Sequence, residues 1–315
     1  MQTRPTLPVA RRAMLALPGA ILAARIAPAA ARDAALHDLM PMFWAVFDRH
    51  ATATADARAL AIRDEFFLPH IASYRAAGVG RVDLGHWLGS FTPMAPAVRR
   101  LSLAFPALWR AHEARFAEAL PDVAPAPVVV LPSFYRFDAR VRVIQGGAAL
   151  FVGLDGVVRI HGEAPALAIL LDHESFHLYH HQVNASLVLP GGDPLWLGIW
   201  KEGLAVHACA VLHPGASRQD VLLGDGALAA IDGALLRRIA REVLPRLGAT
   251  VGEARDRYLS YGYVGDIPAR SGYALGFAVA ARVAAERALG LPALARLPVT
   301  EAEALLREAL VAIAA

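Results

Sequence analysis

The sequence contains little cysteine and little charge. Cys209 is the only cysteine among 315 residues, so no disulfide can form within the chain and the fold must depend on its buried core. Charged residues make up 19%, and no long polar tract of low complexity is present, which excludes a mainly disordered chain. No internal repeat is visible. These absences leave a globular protein, 56% hydrophobic, that is long enough for one large domain or two smaller ones.

Positive charge is concentrated at the N-terminus. The formal net charge is +3, and residues 1–31 contain four arginines (Arg4, Arg11, Arg12 and Arg25) and no acid. With these four of the 31 basic residues set aside, 27 remain against 28 acidic residues, a net charge of −1. The rest of the chain therefore lacks the basic surface that binding to a phosphate backbone requires, which excludes a nucleic-acid-binding function.

Residues 1–31 are predicted to be an export signal that is removed. Arg11 and Arg12 precede a modestly apolar stretch of about 12 residues, and small residues with A-x-A cleavage patterns follow it. The pattern is similar to a bacterial twin-arginine signal, although no serine precedes Arg11. The apolar stretch is shorter than the ~20 residues that span a bilayer. We predict an exported protein, periplasmic or secreted, without a stable membrane span after signal removal. The alternatives are a membrane anchor or an ordinary amphipathic helix.

The rest of the chain changes texture twice. From residue 33 to about residue 120, apolar residues recur at three- and four-residue spacing, which predicts helices. Four short β-rich runs (VVVL, ARVRVIQ, AALFVGL and VVRI) then appear, and helical spacing returns until the C-terminus. We predict an α+β fold, mainly helical with a small sheet, divided into a helical N-terminal region over 32–124 and a second domain over 125–315.

Residues 173–177 read His-Glu-Ser-Phe-His, the H-E-x-x-H pattern, in a helix predicted over about Pro165–Val183. His173 and His177 lie on one helix face with Cβ atoms ~5–6 Å apart, so both imidazoles can bind one zinc ion. Glu174, turned by about 100°, can act as general base toward the attacking water without binding the metal. Chance would supply about 0.02 copies of this pattern at this composition. The alternative is a helix whose histidines are ordinary core or surface residues.

Glu202 is predicted to be the third metal ligand. In the stretch LWLGIWKEGLAVHACAVL, residues 195–212, only Lys201 and Glu202 are charged. A carboxylate in such apolar surroundings is costly unless something compensates it, and zinc would do so. The chain can turn at LPGGDP and run this second helix back along the first.

Helix geometry and sequence spacing distinguish Glu202 from other possible third ligands. His181 continues the face of the two motif histidines, but it lies ~12 Å along the helix axis from His173, too far to share one ion. The metzincin pattern needs glycine at position 180 and histidine at position 183, where this chain has His180 and Val183. That class is excluded. Asp193, in the connecting loop, remains an alternative third ligand.

The segment WKEGLA (Trp200–Ala205) resembles the W-x-E-G-x-A segment around the third zinc ligand of gluzincin metallopeptidases, for example the aminopeptidase N type. Residues 126–285 resemble bacterial families of predicted zinc-dependent proteases. These families share a β-rich lead-in ending in an F-x-G-type strand, H-E-x-x-H, a downstream E-G and a late G-Y-x-x-G. The resemblance implies a zincin-like catalytic domain over 125–315, with zinc bound by the two motif histidines and Glu202.

A second electrophile is needed to stabilise the negative charge that develops on the scissile carbonyl oxygen. The candidates are Tyr258, Tyr261, Tyr263, Tyr273 and His207, and Tyr273, in SGYALG, is the first choice. For any one tyrosine the alternative is a core residue with a satisfied hydroxyl group.

Taken together, these patterns predict a zinc-dependent hydrolase of peptide bonds that acts on a peptide or protein substrate. The strand expected in GGAALFVGLDG, residues 146–156, would be an edge strand that pairs with extended substrate, or else part of a packed hairpin. The G-x-M-E-N-type stretch that is the exopeptidase signature of the aminopeptidase type is not visible before the zinc helix. Its absence favours an endopeptidase. The competing hypothesis is a non-catalytic binding protein of the cell envelope that retains a zincin fold.

Overall fold

The computed structural model describes residues 36–144, 147–162, 167–187, 189, 192–250 and 252–315. The predicted export signal lies outside the described residues.

Helices make up most of the described chain. In chain order they are α1 (Met40–Arg49), α2 (Ala55–Ala61), α3 (Ile71–Ala76), α4 (Leu84–Phe91), α5 (Ala95–Ala119), α6 (Leu154–His161), α7 (Leu167–Val183), α8 (Leu195–Leu212), α9 (Arg218–Val221), α10 (Gly226–Ala229), α11 (Gly233–Val243), α12 (Glu253–Leu259), α13 (Ser271–Arg287), α14 (Leu291–Ala295) and α15 (Val299–Ala314). A π-helix over Ile62–Phe67 continues α2, and single 3-10 turns lie at Thr92–Met94, Ala185–Leu187 and Leu244–Arg246.

Four strands form one small mixed sheet. They are β1 (Leu36–Asp38), β2 (Val128–Leu131), β3 (Ala139–Ile144) and β4 (Gly147–Gly153), in the order β1-β2-β4-β3. β1 pairs with β2 and β2 with β4 in parallel, whereas β3 and β4 are antiparallel with Val141 opposite Leu150. A mainly helical chain with a small sheet confirms the predicted α+β class.

One of the four β-rich runs is not a strand. VVRI lies in α6, so the prediction of a strand there is wrong. Asp155 in the first turn and Arg159 and His161 in the last turn suit the helix dipole, and Val157 and Val158 are buried. Burial of these two β-branched residues is achieved by a helix as well as by a strand, because packing overrides their intrinsic preference.

Strand β4 is central in the sheet, with β2 on one side and β3 on the other. The prediction that GGAALFVGLDG supplies an edge strand is therefore wrong. Leu150, Phe151 and Val152 are all buried, as expected of a strand covered on both faces. The edge strand on this side of the sheet is β3, which lies within the ARVRVIQ run.

Helix α7 lies between two apolar clusters. Leu170 and Leu171 belong to a cluster built on the sheet and the N-terminal helices, whereas Phe176 and Tyr179 belong to a cluster built on α8, α11, α13 and α15. Helices before residue 125 contribute to both clusters, and the described residues form one compact unit. The division into two domains at this residue stays a prediction.

Two glycines set the crossing of α8 and α13. A Cβ atom on Gly203 would lie 2.2 Å from the carbonyl carbon of Gly276, and one on Gly276 would lie 2.2 Å from the Ile199 carbonyl oxygen. Both glycines belong to the motifs that carry the gluzincin resemblance, WKEGLA and SGYALG. The glycines are thus required because the two backbones touch, and this contact places Glu202 and Tyr273 on neighbouring helices.

Replacing Gly203 with alanine is expected to destabilise the protein by about 3 kcal/mol or more, because the added methyl group must push two backbones apart. Urea unfolding measures this change. Gly215→Ala is the control, since a Cβ atom there meets no atom within 4 Å; its stability should stay within about 0.5 kcal/mol of the unmodified protein. Equal stability of the Gly203→Ala and Gly215→Ala proteins would contradict the close contact between the α8 and α13 backbones.

Helix α8 has the length and apolar composition of a membrane-spanning segment, with a mean hydropathy of 1.3 over Leu195–Leu212. Within the protein, 67% of this stretch is buried. Such burial is typical of the core helix of a folded protein. Length and composition alone do not distinguish a core helix from a membrane span. The predicted bounds of this helix, residues 195–212, are confirmed.

Candidate metal centre

His173, His177 and Glu202 form a tight cluster between α7 and α8. The Nε2 atoms of the two histidines lie 3.1 Å apart, and each lies 3.2 Å from Oε2 of Glu202. Within the described chain, this is the group of three or more metal-capable side chains whose ligand atoms converge. The structure thus brings together the three side chains that were predicted to bind zinc.

Hydrogen bonds can account for at most two of the three contacts in this triangle of atoms. An imidazole Nε2 carries either one hydrogen or one lone pair, both directed along a single line. If both nitrogens donate to Oε2 of Glu202, no hydrogen bond joins the two nitrogens, which lie 3.1 Å apart; if one nitrogen donates to the other, the accepting nitrogen faces the carboxylate with its lone pair. One cation between the three atoms would satisfy all of them.

The distances fit a zinc ion with one open coordination position. Ligands held at about 2.0–2.1 Å around a tetrahedral ion lie roughly 3.3 Å from one another. The observed separations of 3.1–3.2 Å are close to this value. Nδ1 of His173 is buried and has no hydrogen-bond partner within the described chain, unlike most zinc-bound histidines, whose second nitrogen donates to a neighbouring oxygen.

The charges of the cluster also suit a cation. Burial would raise the pKa of Glu202, but the two imidazoles outweigh burial and hold this pKa below its ordinary value. Burial lowers the pKa of His173, whereas the pKa of His177 is raised because Glu202 outweighs burial there. An ionised carboxylate beside a neutral imidazole is a donor set that binds divalent metals.

Glu174 lies beside the cluster at the wall of a cavity of about 520 Å³, a volume typical of ligand sites. Its side chain is 9% exposed, and burial raises its pKa to about 8. The cavity is lined by residues of α7 and α8 and by residues of β3 and the loop before it. Glu174 thus faces the space that a substrate would occupy, as the motif predicts for a general base.

Two of the five candidate electrophiles line this cavity, Tyr261 and Tyr273. The Tyr273 ring is parallel to the His173 ring, with an interplanar angle of 6° and a centroid separation of 6.1 Å. Within the described chain its hydroxyl group has no hydrogen-bond partner, whereas the Tyr261 hydroxyl group accepts from Arg270 at 3.2 Å. The first choice, Tyr273, is therefore placed beside the cluster with a free donor.

The other three candidates do not line the cavity. The Tyr258 hydroxyl group donates to Glu242 and the Tyr263 hydroxyl group to Asp266, both away from the cavity. The His207 ring packs near Phe277 with centroids 6.3 Å apart.

The remaining polar residues near the motif are not ligands. His180 is buried against Phe176, in a helix that continues to Val183. His181 lies at the cavity wall, and burial lowers its pKa to about 4. Asp193, the alternative third ligand, accepts from Lys201 at 2.8 Å and lies outside the cluster.

A polar network behind α7 was not predicted. Asp172 accepts from Arg115 at 2.8 Å, lies 3.1 Å from Nδ1 of His112 and also contacts His213. Nε2 of His112 lies 2.8 Å from Oγ of Ser175, so α7 is held to α5 and to the end of α8 by its face opposite the cavity. The partners lie about 40 to 63 positions away in sequence, so no local pattern could have revealed them.

The loop before β3 forms part of the cavity wall and is held by a buried carboxylate. Asp155 accepts from the backbone of Ser133 at 2.5 Å and of Tyr135 at 2.9 Å. Phe134 and Tyr135 have φ values of 56° and 60°, a left-handed conformation that is rare for such side chains. A Cβ atom on Gly156 would lie 1.9 Å from the Phe137 carbonyl oxygen. The GLDG segment therefore supports this wall of the cavity.

Comparison of the chain with models of protein families, with the sequences of characterised proteins and with solved structures gives no significant match.

Proposed function

We propose that the protein is a zinc-dependent peptidase of the gluzincin type with a zincin-like catalytic domain. The observation that carries this proposal is the convergence of His173, His177 and Glu202, with Glu174 adjacent at the wall of a cavity. The predicted export signal supports a periplasmic or secreted location for the enzyme, as part of the same proposal.

The two histidines and Glu202 would hold the metal. Zinc, when bound, supplies a Lewis acid that polarises a carbonyl oxygen and a water molecule. The donor set of two imidazoles and one carboxylate is typical of catalytic zinc sites, which keep one position open for substrate or water. The remaining chemistry is assigned to side chains of this protein.

Glu174 takes the proton of the attacking water and delivers it to the leaving amine nitrogen. Its buried position keeps it protonated near neutral pH when no cation is close, because burial raises its pKa to about 8. A positive charge nearby favours the ionised form, which is the form that accepts a proton. Function as a base therefore depends on the charge of the neighbouring site.

Tyr273 donates a hydrogen bond to the carbonyl oxygen as negative charge develops there. We expect Tyr273→Phe to lower kcat by about 10²-fold with little change in KM, since the bond strengthens mainly in the transition state. Steady-state kinetics on an unstructured protein substrate measures both constants. Tyr261→Phe is the matched control, because the Tyr261 hydroxyl group already contacts Arg270. A larger loss of kcat in Tyr261→Phe than in Tyr273→Phe would contradict the assignment of this role to Tyr273.

Strand β3 borders the cavity and has an unpaired edge within the sheet. An extended peptide can add to such an edge by main-chain hydrogen bonds, which position it independently of its side chains. We therefore assign substrate alignment to β3 in place of β4.

The proposal is tested by incubating the purified mature protein with an unstructured protein mixture, with and without a metal chelator. We expect cleavage that stops with chelator and returns when zinc is added. A protein that binds zinc but cleaves nothing would instead be the non-catalytic binding protein of the cell envelope. A protein that neither binds zinc nor cleaves would refute the peptidase.

A further inference from the structure

Two arginines line the β3 side of the cavity, Arg136 in the loop before the strand and Arg140 within it. Both line the same cavity as Glu174. The proposed metal chemistry uses neither of them.

Arg140 is held in a fixed orientation. Its guanidinium group donates to the carbonyl oxygen of Ala77 at 3.2 Å and to that of Arg136 at 2.7 Å. Its Cζ atom lies 4.1 Å above the centre of the Phe137 ring. A guanidinium group has five N–H donors, so three remain beyond these two bonds. The side chain is therefore pre-oriented and retains donors for a ligand.

Three of the four carboxylates that line the cavity, all except Glu174, are engaged with other side chains. Asp138 lies 2.8 Å from His161, and Asp193 accepts from Lys201 at 2.8 Å. Glu202 contacts the two motif histidines. Within the described chain, no carboxylate lies within ion-pairing distance of either cavity arginine, whereas the cavity lysine is paired. The β3 side thus presents two guanidinium groups that make no ion pair within the described chain, and for Arg140 the carboxylates of Glu174 and Asp138 act only as longer-range countercharges.

We propose that Arg140, assisted by Arg136, binds a carboxylate group of the peptide substrate. This inference rests on the proposed function and adds a substrate class to it: peptides with an aspartate or glutamate side chain, or a free C-terminal carboxylate, near the scissile bond. The planar fork of an arginine matches a carboxylate with two parallel hydrogen bonds. A doubly charged phosphate would be opposed more strongly by Glu174 and Asp138, which line the same cavity.

The test measures binding, with no turnover, to the full-length Glu174→Gln protein by titration calorimetry. Three N-acetylated hexapeptides serve as probes: one amidated with a central glutamate, one amidated with a central glutamine, and the glutamine peptide with a free C-terminus. We expect one carboxylate peptide to bind about 10- to 100-fold more tightly than the neutral one. Preference for the first assigns a side-chain subsite, and preference for the last assigns a C-terminal one. Equal binding of all three overturns the proposal.

Variants then assign the preference to a residue. Arg140→Gln should abolish the preference, measured as the ratio of the affinities for the carboxylate and the neutral peptide, and Arg140→Lys should leave an intermediate preference because charge remains without the fork. Arg142→Gln is the matched control on the same strand, since Arg142 does not line the cavity. A preference that survives in Arg140→Gln, or that is lost in Arg142→Gln, refutes the assignment. If Arg140→Gln does not fold, an unchanged preference in Arg140→Lys refutes it.

Failure of this inference is distinguishable from failure of the proposed function. If the unmodified protein cleaves all three peptides at equal rates and the Glu174→Gln protein binds them equally, the protein is a peptidase without this subsite. If the Glu174→Gln protein binds the carboxylate peptide selectively but the unmodified protein cleaves none of the three, the protein has the subsite and is not a peptidase.

Discussion

The Glu174→Gln protein is expected to bind zinc as tightly as the unmodified protein and to lose about 10²- to 10⁴-fold in kcat, the range typical of general acid–base catalysis. Glutamine has the same shape as glutamate but cannot take a proton from water. Because Glu174 lies outside the cluster of three ligand atoms, its replacement should leave the metal in place. Zinc content by atomic emission and kcat on an unstructured protein substrate are the two measurements.

Glu118→Gln, at an exposed position on α5, is the control for the loss of one negative charge. It should match the unmodified protein in both measurements. Loss of zinc in Glu174→Gln would mean that Glu174 is a ligand, and full activity with zinc retained would remove it from the mechanism.

Substitution of the cluster itself is expected to abolish zinc binding and, with it, hydrolysis. His177→Ala and Glu202→Gln each leave two ligands, and we expect a fall in zinc affinity of more than about 100-fold, since loss of mere outer-shell partners already costs 10- to 100-fold. Competition with a fluorescent zinc chelator measures this affinity.

His181→Ala is the matched control, a histidine on the same helix that lines the cavity without joining the cluster. It should retain zinc. A wild-type protein with less than about 0.2 zinc per chain, unchanged in His177→Ala, would mean that the cluster is not the folded protein's metal site.

The sequence alone determined the local geometry of the site. Helical periodicity places His173 and His177 on one face and turns Glu174 toward its side, and this follows from the dimensions of a single helix. The bounds of α8 and the choice of Glu202 also followed from sequence, because a lone carboxylate among apolar residues needs a partner. In the structure the ligand atoms of His173, His177 and Glu202 lie within 4.8 Å of one another.

Only the tertiary structure decided which distant groups meet. It made β4 central and β3 the edge strand, placed VVRI in α6, and separated Tyr261 and Tyr273 from the other tyrosines. It also brought Asp172 to side chains up to 60 positions away in sequence. Spacing within one helix is set by the backbone, whereas strand order and contacts between elements depend on how the whole core packs, which no short stretch of sequence contains.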